Sequence, residues 1–80
     1  MKYILVRNEK ESEKIQRKLF SLGYEWYCGG TQIIEFCEHD FPLCIILDRE
    51  EGLTHAKLHH LMEEGVPLIR INLNLSEAEL

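Results

Sequence analysis

Five consecutive apolar residues, Leu43-Cys44-Ile45-Ile46-Leu47, form the stretch that decides the fold. The run lies between Pro42 and the polar segment 48–52, and it is shorter than a buried helix would be. A strand with one face in water would alternate apolar and polar residues, and this one does not. The run therefore predicts a strand that is covered on both faces of a sheet, followed by a polar loop.

After that loop, the apolar residues follow a helical spacing. Thr54 is a residue type that caps helices, and Gly65 lies where the predicted second helix would end. The inner side of this helix would carry Leu58, Leu61 and Met62. A last strand is predicted at residues 68–72, and the acidic tail at 74–80 is expected to be frayed.

The first helix has the clearest local signals. Asn8, with Glu11 three residues later, forms a capping-box pattern in which each side chain satisfies a free backbone N–H. The left-handed residue that commonly follows a helix would be Gly23. The apolar stripe of this helix consists of Ile15, Leu19 and Leu22.

The segments on either side of this helix are β-prone. Residues 2–7 predict a strand, and residues 24–28 are aromatic and roughly alternating, which suits a strand or extended segment. Gly29-Gly30 predicts a turn, and a second β-prone run follows at 31–37. A tight hairpin of 24–28 with 31–36, which would add a fifth strand, remains an alternative.

These elements predict a single α+β domain over residues 1–73, followed by the acidic tail 74–80. The order is that of a ferredoxin-like β-α-β-β-α-β fold, with a mainly antiparallel sheet and two helices on one face. A chain of 80 residues holds one modest core, so a dimer interface is the favoured place for a deep pocket.

Composition narrows the classes of partner. The net charge of −5 argues against nucleic-acid binding, which usually needs a basic face. No apolar run approaches the ~20 residues of a membrane span, and we expect no secretory signal at the N-terminus. Cys28, Cys37 and Cys44 are odd in number and lie in apolar stretches, so we expect buried or half-buried thiols in a reducing compartment.

Two histidines and one glutamate have a spacing that could form a metal site. His55 and His59 are four apart on the predicted second helix, and Glu63 shares the face of His59. The run lacks the His-Glu-x-x-His pattern, so a solvated helix face is the favoured interpretation. Cys37 and His39 are close in sequence, but nearby residues on an extended chain do not make a catalytic triad. We therefore expect neither catalysis nor a cofactor.

The aromatic residues near the double glycine are the most informative feature for function. Alternation would place Tyr24 and Trp26 on one face and Tyr27 on the other, so one set can join the core while the other stays exposed. An exposed aromatic residue beside the Gly29-Gly30 turn is a good contact for a protein partner. The predicted contact residues are Tyr24, Trp26, Tyr27, Gly29 and Gly30.

The stretch from Leu19 to Gly30, Leu-Phe-Ser-Leu-Gly-Tyr-Glu-Trp-Tyr-Cys-Gly-Gly, resembles a pattern in short proteins of bacteriophages and prophages. Those proteins begin with a strand, continue with a charged helix and reach a Leu-Phe-x-Leu-Gly-Tyr-x-Trp turn followed by glycines. The resemblance implies an accessory protein in the cytoplasm of a bacterial host. It also implies a binding role, such as inhibiting a host enzyme or defence system.

A second class of function stays open at this point. A small-ligand binder that sequesters a nucleotide at a homodimer interface would need aromatic and basic side chains in one pocket. The arginines available for it are Arg7, Arg49 and Arg70, which are isolated in sequence.

Overall fold

The computed structural model describes residues 2–67 and 71–72. Its elements in chain order are β1 (Lys2–Val6), α1 (Glu9–Ser21), a 3-10 turn (Glu38–Asp40), β2 (Leu43–Asp48), β3 (Gly52–Lys57), α2 (Leu58–Glu63) and β4 (Ile71–Asn72). The predicted tail and residues 68–70 of the predicted last strand lie outside the described residues.

The four strands lie in the order β3-β2-β1-β4. β2 is antiparallel to both β1 and β3, while the short β4 is parallel to β1. The α+β class and the mainly antiparallel sheet are thus confirmed. The ferredoxin-like order is not, because the region between α1 and β2 contributes none of these strands and β2 forms its hairpin with the segment that follows it.

The central strand β2 is covered on both faces, as its sequence predicts. Leu43, Ile45 and Leu47 pack in the same cluster as Ile15 and Leu19 of α1. Cys44, from the other face of β2, packs with Leu61 of α2 and Ile71 of β4. Because successive side chains of a strand point to opposite faces, the two helices lie on opposite sides of the sheet.

The prediction that both helices share one face is therefore wrong. A strand that is apolar on both faces needs a separate cover for each face, and a single pair of helices on one side would leave Cys44 and Ile46 in water. Instead α1 covers one face and α2, although only six residues long, covers part of the other.

Helix α1 follows its local signals. The Asn8 side chain accepts a hydrogen bond of 2.9 Å from the backbone N–H of Glu11, and Ile15 and Leu19 are buried. The Glu11 carboxylate accepts from Arg7, so the capping contact that the structure shows is the one from Asn8. The third member of the predicted stripe, Leu22, is the C-cap residue and is 47% exposed, since the helix ends at Ser21.

The segment predicted to begin the second helix at Thr54 is a strand instead. All six residues of β3 are paired with β2, from Gly52 opposite Asp48 to Lys57 opposite Leu43. Helical spacing describes only the chain after Lys57, where Leu61 is buried and Met62 is half exposed. The long apolar β2 determines this outcome, because it needs a second antiparallel neighbour that the region before it does not supply.

The β-prone run at 31–37 is extended but joins no strand of the sheet. Its backbone is bound by side chains of α1. The Gln16 amide donates to the carbonyl of Ile34 (2.9 Å) and accepts from the Ile34 N–H (2.8 Å), which imitates a neighbouring strand. Glu9 accepts from the Phe36 N–H at 2.9 Å. Neither contact was predicted from the sequence.

Two fully buried polar side chains hold this arrangement in place. Gln16 and Ser12 are both 0% exposed, and the Gln16 amide also donates to the Ser12 hydroxyl at 2.9 Å. The alternative hairpin of 24–28 with 31–36 is not formed. The backbone bonds of Trp26 connect it to Gly29 and Gly30, in a turn.

Replacing Gln16 by leucine should lower the free energy of unfolding by about 2 kcal/mol, because the N–H and carbonyl of Ile34 lose their partners in a partly buried site. Urea unfolding of the purified chain measures this change. Arg17→Ala, one residue along on the exposed face, is the control and should stay within about 0.5 kcal/mol of the wild type. Equal stabilities for the two variants would contradict the role given to Gln16.

Candidate functional site

The aromatic segment 24–28 meets the sheet at the start of β3. The N–H of Leu53 donates to the carbonyl of Glu25 (2.8 Å), and the N–H of Tyr27 donates to the carbonyl of Leu53 (3.0 Å). These two bonds make a parallel bridge between Trp26 and Leu53. Gly52 allows this approach, since a Cβ there would lie 2.6 Å from the Glu25 carbonyl oxygen and the residue has a φ of +96°.

Trp26 is a core residue. It is 3% exposed, and its indole N–H donates to the carbonyl of Gln32 at 2.9 Å. Its ring makes edge contacts with Phe20 and His55, at centroid distances of 6.2 and 6.1 Å. Trp26 therefore anchors the segment from inside and does not form part of the surface, in contrast to its predicted role as a contact residue.

The residues that follow Trp26 form a tight turn, which we call the Tyr27 turn (residues 26–30). Gly29 donates to the carbonyl of Trp26 (2.8 Å), and Trp26 donates to the carbonyl of Gly30 (3.1 Å). Gly29 and Gly30 have φ values of +92° and +95°, a region that favours glycine. Tyr27 is 69% exposed on this turn, so the predicted alternation holds with Trp26 inside and Tyr27 outside.

A groove of about 310 Å³ separates the Tyr27 turn from the turn of the β2–β3 hairpin, residues 48–52. The half-buried Tyr24 contributes to this groove and to a neighbouring hollow of about 480 Å³. Asp48 orders the hairpin turn by accepting from the N–H groups of Glu50 and Glu51, at 2.9 and 3.3 Å. We call the Tyr27 turn together with residues 48–52 the Tyr27 face.

The charge around this face is mostly negative. The groove is lined by four acidic residues and one arginine: Glu25, Asp48, Glu50, Glu51 and Arg49. An exposed tyrosine surrounded by carboxylates suits a surface that presents lysine or arginine, through ion pairs and cation–π contact.

The three residues of the metal-site hypothesis do not share a helix. His55 lies on β3, whereas His59 and Glu63 lie on α2, so the predicted four-residue helical spacing from His55 to His59 is absent. The ring of His59 is next to that of His60, with centroids 4.2 Å apart. Within residues 2–67 and 71–72, no group of three histidine, cysteine or acidic side chains is placed to hold a metal ion.

A second cleft lies at the far end of β3, and we call it the β3 cleft. It has a volume of about 330 Å³, and Asp40 and Lys57 face each other within it at 3.7 Å. The His55 ring lies 4.8 Å from the Phe36 ring and 6.1 Å from the Trp26 ring, measured between centroids. The cleft is lined by Phe36, Asp40, Leu43, His55, Ala56, Lys57 and His60. No sequence pattern indicated it, because its residues come from four separate segments.

Partial burial lowers the pKa of His55, and the nearby carboxylate of Asp40 opposes this shift in part. The aromatic neighbours cannot solvate an imidazolium as water does, so the neutral form of the ring is favoured in the folded chain.

The cysteines differ from the prediction in two of three cases. Cys28 and Cys37 are exposed and Cys44 is buried, whereas all three were expected to be buried or half-buried. Cys28 and Cys37 lie on a turn and beside the 3-10 turn, where the chain has left the sheet. Burial raises the pKa of the Cys44 thiol to about 11, which keeps it protonated.

The arginines of the small-ligand alternative do not converge. Arg7 follows β1 and Arg49 follows β2, and because these strands are antiparallel the two residues lie at opposite ends of the sheet. The length of β2 separates them by on the order of 17 Å. Arg70 is outside the described residues.

No helix in the described part of the chain is long and apolar enough to cross a membrane. Comparisons with protein-family models, with curated proteins and with solved structures give no match to this chain.

Acidification should destabilise the fold partly through His55. The unfolded chain binds a proton at this residue near the ordinary pKa of 6.5, and the folded chain binds it only at lower pH. The stability from the neutral ring is therefore present above 6.5 and is lost as the pH falls through the folded value.

The measurement is the free energy of unfolding between about pH 7.5 and about pH 5, where histidine titrates. It should fall more steeply in the wild type than in His55→Gln. Parallel pH profiles for the two proteins would show that His55 is not desolvated.

Proposed function

We propose that this protein is a non-enzymatic binding protein whose Tyr27 face docks on a partner protein. The observation that carries the proposal is Tyr27, a tyrosine that is 69% exposed on a turn fixed by backbone hydrogen bonds. Tyrosine is among the residue types that contribute most to protein interfaces, because it combines a large apolar ring with a polar hydroxyl.

The contacts that fix the backbone around Tyr27 also favour a binding role. Its N–H is bonded to the edge of β3, its preceding neighbour Trp26 is locked in the core, and the turn closes through Gly29 and Gly30. A residue held in place before the partner arrives loses less conformational entropy on association. The same fixed backbone makes this turn better suited to recognition than an unconstrained loop of equal composition.

The acidic side chains next to Tyr27 define the kind of surface that would complement it. Glu25, Asp48, Glu50 and Glu51 outnumber the single Arg49 around the groove, and the whole chain carries a net charge of −5. A partner with a basic patch would be attracted over a distance and oriented on approach.

The biological setting that we propose comes from the resemblance of residues 19–30 to bacteriophage accessory proteins. In that setting the partner is a protein of the bacterial host, met in the cytoplasm. Binding would modulate or inhibit it, as an anti-defence protein does. The tryptophan of the motif, Trp26, is buried and anchors the Tyr27 turn, which is a structural reason for a tryptophan at this place in the pattern.

Tyr27→Ala should weaken binding to the host partner by about tenfold or more, as expected for an interface hot spot. The partner is first captured from host lysate on the immobilised wild-type chain, and its affinity for each variant is then measured with purified proteins. Met62→Ala, which removes another exposed apolar side chain from α2, is the matched control and should bind as the wild type does. Equal binding by Tyr27→Ala and the wild type would exclude the Tyr27 turn as the contact.

A further inference from the structure

We propose that the outer edge of β3, at His55 and Lys57, is a docking site for an extended peptide of a partner protein. The peptide would add to the sheet as a short strand and place an apolar or aromatic side chain in the β3 cleft. This site goes beyond the proposed function, since it is separate from the Tyr27 turn and recognises backbone in place of a folded basic surface.

The direction of the backbone groups on β3 is fixed by Leu53. Both its N–H and its carbonyl bond outward, to Glu25 and Tyr27, away from β2. Because alternate residues of a strand point the same way, the N–H and carbonyl of His55 and the N–H of Lys57 also face outward. Among the described residues, none forms a hydrogen bond with these three groups.

The chain itself shows that this edge accepts an extended segment. Residues 25–27 run parallel to β3 and pair with Leu53. Continued pairing would bring the carbonyl of Tyr27 and the N–H of Gly29 to His55. The N–H of Gly29 bonds to Trp26 instead, so the Tyr27 turn leaves β3 after a single bridge. The outward backbone groups of His55 and Lys57 therefore belong to the same edge of β3 that already pairs with residues 25–27 at Leu53.

The β3 cleft straddles this open edge. His55 and Lys57 point to the α1 face of the sheet and Ala56 to the α2 face, and all three line the cleft. Phe36 and Asp40 add a wall on one side, and His60 of α2 adds a wall on the other. The cleft therefore lies directly beside the backbone groups with which an added strand would pair, and a side chain of that strand could enter it.

The chemistry of the cleft favours an uncharged occupant. Lys57 and Asp40 already face each other at 3.7 Å, and Phe36, Leu43 and Ala56 provide apolar contact. The neighbouring imidazole rings offer flat surfaces for an aromatic side chain. Backbone donors and acceptors beside an apolar cleft match a peptide strand with alternating side chains, which is how strand addition combines affinity with specificity.

The test distinguishes the contribution of the Lys57 backbone N–H to peptide binding from that of the Lys57 side chain. Lys57 has a φ of −64°, within the range of proline, and it follows the extended chain of β3, so Lys57→Pro should fold while losing the outward N–H. Lys57→Ala is the matched control, because it removes the same side chain and keeps that N–H. Thermal unfolding of both variants verifies that they are folded.

The probe is a displayed library of short random peptides selected on the wild-type chain. Enriched peptides should alternate apolar with other residues and shift the backbone amide signals of His55 and Lys57 in the NMR spectrum. They should also bind Lys57→Pro about tenfold more weakly than Lys57→Ala, the effect of one hydrogen bond and a strand misfit.

Three results would overturn the proposal. Selection could enrich no peptide, the enriched peptides could bind without shifting those two amides, or the two Lys57 variants could bind them equally well. A dimer of the chain that Lys57→Pro dissociates would assign the edge to a second copy and would equally overturn it. Tyr27→Ala should not affect peptide binding, so this proposal and the proposed function fail independently.

Discussion

The pairing between the side chain of Gln16 and the backbone of Ile34 is the contact on which the rest of the structure depends. The connection between α1 and β2 lies outside the strands of the sheet, yet it lies over the main core, where its N–H and carbonyl groups need partners. Gln16 supplies both a donor and an acceptor from one fully buried side chain, and Ser12 fixes its orientation. A helix thereby does for one extended segment what a neighbouring strand usually does.

This constraint explains how the connection can hold the Tyr27 turn in place. With one end bound to α1 through Ile34 and Phe36, and the other to β3 through Trp26, the chain between them has little freedom. The Tyr27 turn projects from that short span, and Tyr27 is exposed because Trp26 occupies the core. The same segment leaves β3 after pairing with Leu53, so no described residue pairs with the edge of β3 at His55 and Lys57. Both proposed surfaces are consequences of one path of the chain.

Sequence reasoning succeeded where the signal was local. The cap at Asn8, the apolar stripe through Leu19 and the uninterrupted run of β2 each specify their element through nearby residues. The β3 segment was misassigned because Thr54 is a fair helix cap and Leu58 and Leu61 have helical spacing. The pairing of this segment with β2 decides otherwise, and the propensity of the segment by itself does not reveal that pairing.

Local signals also predicted part of the candidate site. The aromatic segment and its double glycine were recognised, and alternation correctly separated Trp26 from Tyr27. Alternation alone cannot tell which of the two faces meets the core, so Trp26 was included among the contacts. The β3 cleft could not be predicted, because Phe36, Asp40 and His60 come from segments that are separate in sequence and meet beside β3 only in the folded chain.

We expect the connection between α1 and β2 to be rigid before any partner binds. Backbone amide relaxation of the free, isotope-labelled chain measures this directly at Tyr27, Gly29 and Ile34. Order parameters of about 0.85, equal to those of β2, are the predicted result. Values below about 0.6 at these amides, with β2 still rigid, would contradict the account, because the Tyr27 turn would then not be formed in advance.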